Sequence, residues 1–179
     1  LKRQISCAVG IPVKNIGDIH LSYSNALDMI KYRLVYGYGS FFTYNMEEFE
    51  SKDSIVLIDK EKDKLIQAIK LCDMDGVKNE IEAIIDNISP CQYDYIMLTL
   101  NQLMLDILKS VKTFYTDNSH ELDFKNIYIN INKLGTLDEM KEFFILYCGG
   151  IIDKIEKKKI NRKGDLIADI LNYIEEHYS

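Results

Sequence analysis

Proline and glycine are scarce, with two prolines and nine glycines in 179 residues. Long disordered linkers have little material here, so most of the chain is expected to be structured. Cysteines never form a C-x-x-C pair: Cys7, Cys72, Cys91 and Cys148 lie far apart. That spacing suits neither a structural zinc site nor a small disulfide scaffold, and free, mostly buried thiols in a reducing cytoplasm are expected. No apolar run approaches the roughly 20 residues of a membrane-spanning helix, and no signal peptide is visible. The expectation is a cytoplasmic segment without membrane contact. Leu1, in place of Met and directly ahead of a strand-like run, reads as the start of an excised piece of a longer protein.

Recognisable chemistry is also missing. There is no Walker-type phosphate loop, no H-E-x-x-H and no G-x-S-x-G. Gly37-Tyr-Gly39 lacks the third glycine and the preceding strand of a dinucleotide fingerprint, and reads as a helix-to-strand turn. His20, His120 and His177 are scattered, as suits ordinary polar residues rather than bases or ligands. Glu47, Glu48 and Glu50 read as a solvated loop, and Asp73-Met-Asp75-Gly76 lacks the later ligands of a calcium loop. No catalytic residue, cofactor or metal is expected, and the chain is not expected to be an enzyme.

What is present is apolar material at 47% and charge at 28%, ordinary for a folded domain. The net charge of −6 argues against a free-standing nucleic-acid binder, which carries a basic face to neutralise phosphates. The local exception is Lys154, Lys157, Lys158, Lys159, Arg162 and Lys163. With Glu156 as partial partner this stretch is a solvated helix face; it becomes an electrostatic neighbour of DNA only where a DNA-binding element follows it.

Gln4 to Ile11 is short, apolar and bounded by Pro12, so it reads as a buried strand. Ile19, Tyr23, Ala26, Leu27, Ile30 and Leu34 recur at helical steps and predict one helix over about Ile16 to Tyr36 with a single apolar face. Gly37 and Gly39 end it, and Ser40 to Tyr44 reads as a second strand. Beyond about Glu50 only Ser54 to Ile58 has any further strand character. Helices are expected over Lys60 to Cys72 with Asp59 as N-cap, over Val77 to Ile88, over Gln92 to Tyr115 with a broad apolar stripe, and over Leu122 to Leu134 after a loop at Thr116 to Ser119. Thr136-Leu-Asp-Glu139 has the capping-box form and opens a helix running to about Lys159. Gly149 and Gly150 inside it predict a kink, a close helix contact or a break. A last amphipathic helix is expected from Asp165 to Tyr178, after Gly164.

Ser22-Tyr-Ser-Asn-Ala-Leu-Asp-Met-Ile-Lys-Tyr-Arg33, followed by Gly37, resembles the SYxxAxxAxxYRF..G region of AraC-family transcription regulators of the YesN type. The run Ile5 to Ile11 is similar to the vSiGiG strand of GGDEF-like domains. The sequence LIQAIKLCDMDGVKNEIEAII resembles its helical pair, and Asp165 to Tyr178 resembles the first helix of its DNA-binding domain. The resemblance covers nearly the whole chain in order, most specifically over 22–37 and 165–178. Against the AD.ALY.AK..GRN run of active GGDEF cyclases, Tyr23-Ser24 stands for Ala-Asp, Asp28 replaces the Tyr, and the Arg-Asn is missing. The GG(D/E)EF loop with its metal-binding carboxylates, which nucleotide cyclisation needs, would lie upstream and is absent from this sequence, so cyclase activity is not carried over.

The resulting expectation is a mainly α fold, with a small strand-helix-strand (α+β, GGDEF-like remnant) followed by a helical bundle. Residues 1–50 would form the partial GGDEF-like segment, 51–163 a helical regulatory or linker domain, and 164–179 the helix leading into a DNA-binding domain. The resemblance implies a regulatory, dimerising and signal-coupling segment of a bacterial regulator. It would act as a homodimer between an upstream sensor or receiver and DNA, touching DNA only through the missing C-terminal domain. Gly149, Gly150 and Gly164 are the candidate hinges. The alternative is a helical ligand- or protein-binding module unconnected with DNA.

Overall fold

The structure is a computed structural model and describes residues 4–44, 58–111, 131 and 133–178. It is mainly helical with one small parallel sheet. Strand β1 (Cys7–Val9) pairs with β2 (Phe41–Thr43), with Cys7 opposite Phe41, Ala8 opposite Phe42 and Val9 opposite Thr43. Between them run a 3-10 turn (Ile16–Asp18), helix α1 (Ile19–Lys31) and the single turn α2 (Arg33–Tyr36). Gly37 (φ 80) and Gly39 (φ 84) then turn the chain into β2, in a backbone region that costs a residue with a Cβ far more than it costs glycine.

The expected single helix over Ile16 to Tyr36 is thus three pieces, and its apolar face is mostly uncovered. No residue of α1 is buried, and Ile16, Ile19, Tyr23 and Leu27 are exposed. Two strands of three residues offer too little surface to cover a 13-residue helix. Only Leu34 and Phe42 of this unit are buried, and Leu34 belongs to the core of the bundle beyond.

That bundle is built from α3 (Asp59–Leu71), α4 (Met74–Ile88), α5 (Tyr93–Val111) and α6 (Leu137–Tyr178). Their apolar residues recur every three or four positions, so each helix turns one stripe inward. Leu65 and Ile69 of α3, Val77, Ile81 and Ile84 of α4, Ile96, Leu100 and Leu103 of α5, and Met140, Phe144 and Cys148 of α6 meet in one core. Each such side chain contributes about 1.5–3 kcal/mol when it leaves water.

The helix ends differ from expectation in two places. Asp59 is not the N-cap of α3: that position is Ile58, and Asp59 is the first helical residue. There its carboxylate faces the positive end of the helix dipole and holds Lys62 at 2.8 Å. The turn with an N-cap expected at Asp73 to Gly76 does carry the cap, but it is already the start of α4 rather than a separate turn. Asp73 Oδ1 accepts from the Gly76 N–H at 3.0 Å, and the helix begins at Met74 rather than Val77. Cys72, at φ 62 and ψ 34, ends α3 in the left-handed conformation.

Neither a break nor an end interrupts α6, which is one helix of 42 residues spanning Gly149, Gly150 and Gly164. The separate helix expected from Asp165 is its second half. A glycine costs a helix only about 1 kcal/mol, too little to stop one carried by good helix formers on both sides. The close helix contact expected at Gly149 and Gly150 is not found either: a Cβ on Gly149 would lie at an ordinary contact distance, 3.6 Å, from Met74 Cε of α4, and one on Gly150 would meet nothing within 4 Å. The stretches Ser54 to Leu57, Thr116 to Ser119 and most of Leu122 to Leu134 lie outside the described residues, as does anything of the expected fifth-helix run past Val111.

Candidate functional site

The start of α6 is where the strand-helix-strand unit and the bundle meet through polar groups. Thr136 precedes the first turn, and its Oγ1 accepts from the Glu139 N–H at 3.2 Å. In return the Glu139 carboxylate accepts from a backbone N–H one residue further out than a standard capping box, that of Gly135, at 2.7 Å. The same carboxylate oxygen accepts from the Tyr38 hydroxyl at 3.1 Å, across 101 residues of sequence. The guanidinium of Arg33 lies 5.3 Å from the centroid of the Tyr38 ring, within cation–π range. Its Nε is buried and makes no hydrogen bond. A Cβ on Gly135 would come within 2.4 Å of Tyr38 Oη and 3.2 Å of an Arg33 nitrogen. Glycine is therefore what lets the two units close. The hydrogen bond to Glu139 and, after it, burial hold the Tyr38 phenol above its usual pKa.

A second contact lies alongside. Lys31, at the end of α1, pairs with Asp28 at 2.8 Å and sits 5.6 Å from the centroid of the Tyr93 ring, at the start of α5. Leu34 of the same unit is buried as part of the common core.

The sequence singled out the other end of α6. Lys154, Lys157 and Lys159 are exposed there and Lys158 is half-buried; the side chains of Arg162 and Lys163 lie outside the described ones. At about 100° per residue these six positions spread over more than half of the helix circumference, so they do not form one narrow face. Lys159 Nζ reaches Cys72 Sγ at 3.5 Å, where α6 passes the end of α3. Of the hinge candidates, Gly149 faces Met74, Gly150 faces open space and Gly164 is inside the helix. The basic stretch and the Tyr38–Glu139 joint are thus on one helix but far apart along it.

A cavity of about 300 Å³ opens between α3 and α5, lined by Ile58, Lys62, Tyr95, Leu98, Gln102 and Leu103 among others. Lys62 is held at 2.8 Å by Asp59 and at 3.4 Å by Asp106, so its ammonium is already neutralised. Those partners, Asp59 foremost, raise its pKa against the opposing effect of burial. The cavity therefore offers an apolar wall with hydrogen-bonding groups and no unpaired positive charge.

Among the described residues no group of three or more His, Cys, Asp or Glu side chains could hold a metal, and no helix is long and apolar enough to cross a membrane. Cys91 and Cys148 are buried, and burial pushes the Cys148 thiol up to about 12. Cys7, by contrast, is exposed.

No protein-family model, curated protein or solved structure matches the chain.

Sequence reasoning found Glu139, through its capping box, but not Tyr38, Arg33 or Gly135. A capping box is a local pattern with its own spacing. Which distant tyrosine docks on it leaves no mark in the sequence.

Proposed function

We propose that this chain is a regulatory, dimerising and signal-coupling segment of an AraC-type transcription regulator. It stands between an upstream sensor or receiver and a C-terminal helix-turn-helix domain of a longer protein, and DNA is touched only through that domain. The supporting observation is the course of α6. It starts at the Tyr38–Glu139 joint with the strand-helix-strand unit and continues unbroken through the basic stretch into the segment that resembles the first helix of the DNA-binding domain. A change in how the first unit sits on Glu139 is then transmitted along one rigid element, which is what coupling between two sites requires. Dimerisation is supported by the sheet, in which neither strand has a second neighbour among the described residues, and by the exposed Ile5, Val9 and Phe41 around it. No catalytic role is proposed.

The test compares operator binding by this chain with binding by its parent extended through the following hundred or so residues. Binding by the extended protein alone supports the proposal; binding by neither removes the link to DNA. A second reading, a helical module for a ligand or protein without connection to DNA, is favoured by the cavity between α3 and α5. Neutral, mostly apolar compounds protecting Leu98 and Tyr95 from chemical labelling would support it.

A further inference from the structure

Helix α5 carries more apolar surface than the core covers. Ile96, Leu100, Leu103 and Ile107 are buried, whereas Tyr95 is half-buried and Leu98 is 68% exposed. Tyr95, Leu98 and Gln102 follow one another at steps of three and four, so they share a second face of the helix beside the core face. That face is one wall of the cavity of about 300 Å³; Ile58 and Lys62, at the start of α3, line the other side, and the buried Thr99 and Leu103 form its floor.

The polar rim of the cavity is electrically balanced. Lys62 Nζ lies 2.8 Å from Asp59 Oδ1 and 3.4 Å from Asp106 Oδ2, and Lys109 Nζ lies 3.7 Å from Asp106 Oδ1. Two carboxylates thus meet two ammonium groups. An ion entering the cavity would lose hydration and find no uncompensated charge in return, whereas a neutral molecule loses far less. Hydrogen-bonding capacity remains. An ammonium has three N–H donors, and the two carboxylates engage two of those on Lys62. Gln102 donates from Nε2 to Asp106 Oδ1 at 3.0 Å, which leaves its carboxamide oxygen as an acceptor. Both groups are held by the same Asp106 carboxylate, so a donor and an acceptor stand close together on the rim.

We infer that this cavity binds a small, neutral, hydroxyl-bearing aromatic compound of one or two rings. Its volume stands at the small end of ligand sites. The ring lies against Tyr95, Leu98 and Leu103, a lining that suits a flat apolar body. The hydroxyl accepts from Lys62 and donates to Gln102. One hydroxyl fills both roles, whereas a carboxylate only accepts and an ammonium only donates. This inference rests on the second reading above and deepens it by naming the ligand; it does not depend on the link to DNA.

The test titrates naphthol with the whole chain at neutral pH. The chain has no tryptophan, so the fluorescence anisotropy of the probe is read without interference. Saturable binding is expected, with naphthoate and naphthylmethylammonium, similar in shape but charged, at least about tenfold weaker. Leu98→Asp, at an exposed position, should weaken naphthol by about tenfold with an unchanged circular dichroism signal. Lys62→Met, which removes the donor, should weaken it by a similar factor. Tighter binding of either charged analogue, still sensitive to Leu98→Asp, overturns the ligand class and leaves the ligand-binding reading standing. No saturable binding by any of the three probes, or binding indifferent to Leu98→Asp, overturns the inference and removes the cavity as support for that reading.

Discussion

Glu139 concentrates three jobs in one carboxylate: it accepts from Gly135, accepts from Tyr38, and occupies the third position of a capped helix. Removing its tyrosine partner with Tyr38→Phe should cost about 1 kcal/mol or less in urea unfolding, since a net hydrogen bond is worth about that and this one is partly solvated. The pH dependence has a definite sign. The folded pKa of Tyr38 is raised, so its contribution is complete below the unfolded value near 10 and is lost as pH rises through the higher folded value. Wild-type chain should therefore lose stability on the alkaline side more steeply than Tyr38→Phe; equal slopes would show that the contact does not persist in solution. Gly135→Ala should be worse than Tyr38→Phe, because its Cβ displaces the ring as well as the bond. Cys148 follows the same sign rule. Between about 9 and about 12 the unfolded chain gives up a proton that the folded chain keeps, so stability falls with pH across that window. A thiol reagent near neutral pH should accordingly modify Cys7 rapidly and reach Cys91 and Cys148 only on unfolding; fast reaction at Cys148 would contradict its burial.

The helices illustrate what periodicity encodes and what it does not. Inward stripes such as Val77, Ile81, Ile84 and Ile88 were legible because a repeat of three and four residues has one physical meaning in an amphipathic helix, and these residues are buried. Truncating one of them, Ile84→Ala, should cost about 2–5 kcal/mol. Asp73→Ala, which removes the cap at Gly76, should cost about 1 kcal/mol; both are read from the denaturant midpoint. The same repeat misled at α1, where Ile19, Tyr23 and Leu27 are correctly spaced but exposed. Spacing says that residues share a face, not that anything covers it. Boundaries were legible where a residue has a strong local preference, as at Gly37 and Gly39 with their positive φ or Thr136 with its capping bond. They were not legible at Gly164, because a lone glycine shifts the balance by less than the helix-forming residues around it. Replacing Gly149 and Gly150 together by Ala should raise stability by about 1–2 kcal/mol. The added methyl at Gly149 meets Met74 at ordinary contact distance and the one at Gly150 meets nothing. If the proposed regulatory role holds and either glycine is a hinge, that stiffening should blunt the activation response of the longer protein; an unchanged response removes the hinge.

In the whole molecule, the mainly helical character and the small strand-helix-strand start followed from the order of elements in the sequence; that β1 and β2 are neighbours and parallel is a finding of the structure. The docking of that start on the bundle did not follow from that order either, because it rests on contacts such as Tyr38 with Glu139 between residues a hundred positions apart. It also rests on Leu34, a residue of the first unit whose burial belongs to the second. Leu34→Ala should therefore loosen both units at once, with a single cooperative unfolding transition becoming two when followed by probes in each; one transition, merely shifted, would mean that other contacts hold them together. The length of α6 has a mechanical consequence of its own. Buried in the core at Ile155, it continues for about 35 Å to Tyr178, a length over which a tilt of about 10° at Ile155 corresponds to a sideways displacement of about 6 Å. A rearrangement at the Tyr38 joint too small to disturb any buried side chain would arrive at the far end magnified to more than a full helical turn.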